Sequence, residues 1–471
     1  MQSYAKSKKK LIKHSKKDNN IKRLIIKNQL NKQKLINLFC IQLDYMDNQD
    51  SKVEQLGQSE NFGENPVKKL KTESLSMNKA LKFVVHKTCN KARASTLTLP
   101  HGEVLTPVYM PVGTKGTIKG LTSQEMENLG CRLLLGNTYH LAYQPGGDYL
   151  EKVGGLHKFM NWKYNILTDS GGFQMVSLSK LCEISEEGVK FESPVDGSEM
   201  FLRPEDSVHN QNQIGADIMM ALDDVVQTTT VGERMKIACE RTVRWIDRNI
   251  QAHERKEVQN LYPIVQGGLD FGLRKYCLDE LIKRDAPGYA IGGLAGGEDK
   301  QDFWKIVNFC TDHLPQDKPR YLMGVGYPDD LIVCSCLGVD QFDCVFSTRT
   351  ARFGTAFTKY GFMRLKNADK EFDLKPIEEG CECPTCQRYS RSFLHNTIAK
   401  EETACHLISQ HNLYFLLNLM KQFRQSILDG RMEEFVNEFF KNYFSHEKQI
   451  PQWIQDAMVA AKINLNIKFD E

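Results

Sequence analysis

Eight short apolar runs dominate residues 80–345, and each gives way to small or acidic residues before a more polar stretch begins. They are Val108–Pro111, Leu133–Leu135, Ile166–Thr168, Ile218–Leu222, Tyr262–Val265, Tyr289–Ile291, Tyr321–Met323 and Gln341–Val345. Runs that are apolar throughout fit strands buried on both faces, as in a parallel sheet covered by helices. Helical patterns fall between several of them, at 232–256, 271–285, 300–313 and 328–337. Eight strand–helix units predict an α/β fold, a closed (β/α)8 TIM barrel. The alternative is an open doubly wound sheet, and it is weakened because no Gly-x-Gly-x-x-Gly stands at the first turn.

The chain is long enough for such a barrel plus appendages, with 471 residues, 41% hydrophobic and 26% charged. No apolar run reaches the ~18–20 residues of a membrane helix. The formal net charge of +3 is uneven. Residues 1–40 hold twelve Lys/Arg against Asp18, which leaves the rest of the chain mildly acidic. Net charge therefore gives no argument for a nucleic-acid partner, and any RNA contact must come from a local basic patch. Segment 1–76, rich in Lys, Asn, Gln and Ser, has too little apolar surface to offset chain entropy and is expected to be a disordered basic extension. Most of the fourteen cysteines, such as Cys131, Cys239, Cys277, Cys310 and Cys334, stand singly in apolar segments, as buried free thiols of a reducing compartment do.

The residues after the strand runs carry the chemistry. They include Asp169, Ser170, Gly171 and Gly172, then Asp223 and Asp224, Gln266, Gly293 and Leu294, and the stretch Gly324, Val325, Gly326; Asp343 lies inside the last run. In a barrel these C-terminal strand ends converge on one mouth, where active sites form. Each alone is ordinary turn chemistry, but together they mark a site. Asp343 in its apolar setting is costly unless partnered. It reads either as one half of a buried pair with Arg349 or Arg352, or as a carboxylate nucleophile beside phosphate-binding arginines. Phe173 offers a stacking face for a heterocycle, and Asp223 and Gln266 offer acceptor and donor groups for a purine-like edge. A backbone N–H at Gly293 or Leu294 suits a base carbonyl.

Cys381, Cys383 and Cys386 form a Cys-x-Cys-x-x-Cys knuckle. Three thiolates at this spacing fit a tetrahedral structural zinc whose fourth ligand comes from His395, His406 or His411.

At these residues the sequence resembles the tRNA-guanine transglycosylase family over nearly all of 80–445. The matching stretches are TDSGGFQMVSL at 168–178, ALDDVV at 221–226, IVQGGLD at 264–270, GYAIGGLAGGE at 288–298, YLMGVG at 321–326, FDCVF and TRTAR within 342–352, and CECPTC at 381–386. The resemblance implies a barrel (77–375), a zinc-binding and helical subdomain (376–446) and a tail (447–471). It implies Asp343 as nucleophile and Asp169 as general acid/base, with Ser170–Phe173, Asp223, Gln266, Gly293 and Leu294 holding the base. Gly324, Val325, Gly326, Tyr327, Pro328, Asp329 and Asp330, with Thr348, Arg349, Thr350, Ala351 and Arg352, are the implied RNA contacts. His411, which precedes Asn412, becomes the fourth ligand of one structural Zn2+. The implied activity exchanges guanine at the wobble position of tRNA with a G-U-N anticodon for queuine, in the cytoplasm, beside a related non-catalytic subunit. A mitochondrial association is left open by the basic N-terminal segment. Gly296 and Val225 resemble the eukaryotic branch's choices, small residues that leave room for the larger base. Ser347 departs from the family's Pro and is expected to loosen the loop before Thr348. The alternative from another class is that the chain itself is the binding-only accessory subunit; the presence of both Asp169 and Asp343 argues against it.

Overall fold

A computed structural model describes residues 80–173, 182–193, 197–398 and 401–469; the basic segment 1–76 and the stretch Gln174–Leu178 of the long motif lie outside them. The eight apolar runs become eight parallel strands. They are β1 (Val108–Gly113), β2 (Leu133–Gly136), β3 (Asn165–Thr168), β4 (Ile218–Met220), β5 (Asn260–Tyr262 and Ile264–Val265), β6 (Tyr289–Ile291), β7 (Arg320–Leu322) and β8 (Gln341–Cys344). β8 pairs with β1, and the first piece of β5 pairs with β4 while the second pairs with β6. The sheet therefore closes into the expected barrel. Pro263 interrupts β5 because it has no N–H to give a ladder. Its carbonyl still accepts from Ala290 at 2.9 Å, and that of Tyr262 from Ala221 at 2.9 Å.

Residue parity separates two cores. Met110, Leu135, Leu167, Met220, Ile264 and Tyr321 fill the lumen, while Tyr109, Leu134, Ile166, Met219, Leu322 and Phe342 face the helical layer. Burial on both sides explains why the strands show no polar alternation. The helices fall close to their expected places, at Glu233–Ala252, Phe271–Ile282, Lys300–His313 and Pro328–Cys336. Asp270 and Asp299 cap two of them by accepting from N–H groups of the first turn.

Three elements were not legible in the eight-run pattern. An antiparallel meander, Lys82–Cys89, Ala92–Leu99 and Gly102–Thr106, sends Leu97, Leu99 and Val104 into the lumen core and plugs the N-terminal end of the barrel. After β8 the chain forms helix Phe346–Arg352, hairpin Thr355–Thr358/Gly361–Arg364 and the cysteine knuckle, then returns in the long helix Glu402–Asp429, which packs on Phe346–Arg352 and on β1. The segment 447–471, read as a tail, instead carries helix Gln452–Ala460. Its Ile454, Ala457 and Met458 repeat at helical spacing and are fully buried in the outer core. No helix among the described residues is long and apolar enough to cross a membrane.

Candidate active site

β3 delivers Asp169 one residue beyond its last strand residue, at the C-terminal mouth. Asp169 Oδ1 accepts from the backbone N–H of Thr138 at 2.9 Å and of Gly171 at 3.2 Å, and Oδ2 accepts from Asn137 Nδ2. Asn137 and Thr138 follow directly on β2, so two neighbouring strands hold this carboxylate in one orientation.

β8 delivers Asp343. It shares parity with Gln341, inward, whereas Phe342 points to the helices. Oδ1 accepts from the Tyr321 hydroxyl at 2.5 Å and from the Gly324 N–H at 2.8 Å. Neither Arg349 nor Arg352 pairs with it, which removes the buried Asp–Arg alternative. Burial pushes the Asp343 carboxyl up, opposed by the Gly324 N–H and the Tyr321 hydroxyl. Tyr321 feels the charge of both Asp343 and Asp169.

Beside them sits a polar floor suited to a heterocycle. Asp223 is buried, with Gln266 Nε2 donating to its Oδ2 at 2.6 Å and Ser170 Oγ to its Oδ1 at 3.5 Å. Burial, reinforced by adjacent Asp224, pushes Asp223 up to about 7. Gln266 Oε1 is buried and has no hydrogen-bond partner among the described residues. A Cβ on Gly293 would come 2.4 Å from that oxygen, so only glycine permits the close packing there. Gly171 and Gly172 carry the turn under Ser170, and Phe173 stands at the rim, 64% exposed. Leu294 opens a loop in which Glu298 accepts from the N–H groups of Ala295 and Gly296. A Cβ on Gly296 would meet Thr228 Oγ1 at 2.4 Å, so packing against Thr228 favours glycine there.

The segments read as RNA contacts divide by burial. Gly324, Tyr327, Arg349 and Arg352 are exposed, and Thr350 is partly so. Val325, Gly326, Pro328, Thr348 and Ala351 are buried. Asp330 is also buried, held by both its oxygens to Lys300 at 2.6 Å, and Asp329 is mostly covered beside it. These side chains pack against the fold around the two segments. Tyr327 stacks on Phe346 with ring centroids 4.0 Å apart. The structure adds cations that spacing along the chain concealed. Lys119, after β1, feels the charges of Lys115 and of Arg349 and Arg352 on the helix after β8, and His140, after β2, feels those of Lys115 and Lys119, so cations gather on this side of the mouth. Burial, then Arg352, Lys115 and Arg349, holds Lys119 below its usual range; burial, then Lys115 and Lys119, does the same for His140. Asp224, unassigned from sequence, pairs with Arg234 and Arg241.

Ser347 does not loosen its loop. Its hydroxyl lies 2.9 Å from the Tyr109 hydroxyl, and Asn412 Nδ2 donates to its carbonyl at 2.9 Å. Side-chain hydrogen bonds here do the restraining expected of proline.

Cys381, Cys383 and Cys386 place their Sγ atoms 3.8, 3.4 and 3.3 Å from His411 Nδ1. A tetrahedral zinc with its usual bond lengths requires edges of about 3.6 Å, so the donor set fits zinc. His411 Nε2–H donates to the Phe357 carbonyl at 2.7 Å, leaving Nδ1 to face the sulfurs. His395 instead bonds the Leu365 carbonyl, and His406 is exposed against Gly120. The next residue, Asn412, ties the same helix to Ser347, Thr355 and Phe357. The knuckle thus braces the helix that carries Arg349 and Arg352.

A family model described as queuine tRNA-ribosyltransferase matches residues 88–445. The chain is 49% identical over 396 residues to the queuine tRNA-ribosyltransferase catalytic subunit of Schizosaccharomyces pombe, covering 82% of this chain and 98% of that one. It is 48% identical over 381 residues to the catalytic subunit of Caenorhabditis elegans, covering 78% and 95%. A queuine tRNA-ribosyltransferase of Caldanaerobacter subterraneus is 47% identical over 373 residues, covering 79% and 100%.

Proposed function

Because this chain belongs to the queuine tRNA-ribosyltransferase family, a family of pentosyltransferases, we propose that it exchanges guanine 34 of G-U-N anticodon tRNAs for queuine by double displacement. Asp343 attacks C1′ of the ribose: the C1′–Oδ2 bond forms, the C1′–N9 bond breaks, and guanine leaves with a proton from the Asp169 carboxyl. Queuine then loses its N–H proton to Asp169 and attacks C1′, and the Asp343 carboxylate departs. Two inversions retain the anomeric configuration. The target nucleotide must leave its stack to reach the mouth. Asp223 accepts from the ring N–H and the exocyclic amine. Gln266 and the backbone at Gly293 and Leu294 complete base recognition, and Phe173 supplies an apolar rim. The patch of Lys115, Lys119, Arg349 and Arg352, with Gly324 and Tyr327, holds the anticodon backbone. Cys381, Cys383, Cys386 and His411 hold one structural zinc, which supplies cross-linking and no chemistry. A related accessory subunit is the expected partner.

The observation that carries this reading is the pair of fixed carboxylates, one from β3 and one from β8, at the C-terminal strand ends that also carry Asp223 and Gln266. Labelled-guanine exchange into tRNA, with free guanosine as control, tests it. Exchange into tRNA alone supports the reading; equal exchange into guanosine would point to a free-nucleoside enzyme. Undiminished exchange by Asp343→Asn would assign this chain the accessory role.

A further inference from the structure

Tyr321 projects from β7 into the lumen, fully buried, and its hydroxyl donates to Asp343 Oδ1. The Gly324 N–H donates to the same oxygen. Gly324 has φ +76°, a left-handed conformation that glycine adopts freely. Oδ2 accepts no hydrogen bond among the described residues, so the two oxygens of one carboxylate are chemically unlike. The phenol makes no other hydrogen bond there. Burial, then the charge of Asp343, pushes its acidity far from the usual range, so it remains a donor and never an anion. Asp169 also acts on it through space. Neither the spacing of Tyr321 nor its apolar neighbours suggested this placement.

We propose that Tyr321 is a positioning residue that selects Oδ2 of Asp343 as the attacking atom and keeps the covalent intermediate short-lived. The inference rests on the covalent reading above and deepens it. Before attack, Oδ1 shares the carboxylate charge and accepts two strong hydrogen bonds. When C1′–Oδ2 forms and C1′–N9 breaks, Oδ1 becomes the carbonyl oxygen of a neutral ester, a weaker acceptor. Tyr321 and Gly324 therefore favour the free carboxylate over the ester. In the second displacement the C1′–Oδ2 electron pair returns to the carboxylate. Both donors then strengthen as charge develops, which assists departure of the leaving group. The phenol keeps its proton throughout.

The test compares full-length, zinc-loaded wild type with Tyr321→Phe and with Asp343→Asn. It measures the fraction of tRNA trapped on the protein in denaturing gels at fixed guanine, kcat, kcat/KM for tRNA, and the pH profile. One charge-assisted hydrogen bond corresponds to about tenfold. Tyr321→Phe is expected to raise the ratio of trapped to free tRNA about tenfold and to lower kcat about tenfold. It should leave kcat/KM within about twofold at the pH optimum and move its acid limb to higher pH. A trapped fraction at or below wild type, with kcat and kcat/KM falling together, would overturn the inference and leave Tyr321 a packing residue. If Tyr321→Phe does not fold, difluorotyrosine at 321 keeps the shape and strengthens the donor. The trapped fraction should then fall, and an unchanged fraction would also overturn the inference. Failure of the covalent reading itself looks different: no adduct with wild type, or as much adduct with Asp343→Asn.

Discussion

β4 and β8 each carry an aspartate at both ends, and the two ends treat them differently. At the plugged end, Asp217 and Asp340 precede the strands. Asp217 Oδ1 faces His101 Nδ1 at 2.6 Å, and Oδ2 faces His157 Nε2 at 3.1 Å and accepts from the Ile166 N–H at 2.8 Å. Asp340 Oδ1 accepts from Arg93 Nε at 3.1 Å, and Oδ2 from Arg93 Nη2 and from the Arg320 N–H at 2.8 Å. Every oxygen is used. At the mouth, Asp223 and Asp343 follow or end the same strands with fewer partners. Among the described residues, Asp343 keeps an unused oxygen, and Asp223 leans on a glutamine whose own oxygen is unpartnered. Saturation alone does not set the role, because Asp169 at the mouth also has both oxygens held; an open oxygen, as on Asp343, leaves room for a ligand.

The largest test of this contrast is a pair of substitutions. Asp343→Asn is expected to cost about 10^3-fold or more in base exchange with little change in denaturation midpoint. Asp340→Ala strands the buried Arg93 charge and is expected to cost about 3–5 kcal/mol of stability, with normal turnover by the molecules that remain folded. Urea titration and exchange assays on both variants read the two effects, and the contrast breaks if either variant shows the other's signature. Next is the pH dependence of base binding. Asp223, raised to about 7, must be ionised to accept two base N–H groups. Guanine affinity should therefore rise about tenfold between pH 6 and 8, and Asp223→Asn should flatten that rise. For stability the sign is opposite. A carboxyl raised in the fold contributes most below its unfolded value near 3.8, and the contribution is lost as pH rises to about 7.

The smallest effect belongs to the plugged end. His101 is raised by its hydrogen bond to Asp217, against burial. Its contribution is present below about 6.5 and fades as pH climbs through the higher folded value. His101→Gln should cost less than about 1 kcal/mol at pH 6, because the ring is partly exposed and solvent-screened, and still less at pH 9. An equal loss at both values would show that packing on His157, not charge, holds that turn.

Much of this was written in the sequence at the level of strands. Uniformly apolar runs revealed two-sided burial, and the polar residues after them fell at the mouth because every barrel strand runs the same way. That rule located Asp169, Asp223, Gln266 and Asp343, and it applied equally to Asn137 and Thr138, whose small polar side chains drew no notice. Asp217 and Asp223 look alike in a one-dimensional string; strand direction separates them. Through-space groupings were beyond reach. Lys119 comes under the charges of Arg349 and Arg352, and His140 under those of Lys115 and Lys119, only because β8, β1 and β2 are neighbours. Tyr321 reads as one more apolar strand residue until its hydroxyl is seen on Asp343. The meander was invisible because its alternating strands plug an end instead of lining the wall.

The most direct measurement is peptide mapping of the tRNA adduct formed by wild-type protein at limiting guanine, quenched in denaturant and digested. A single ribose-linked peptide containing Asp343, absent from Asp343→Asn, is the predicted result. An adduct on a peptide carrying Asp169 or any other acid, or no adduct while exchange proceeds, would contradict it.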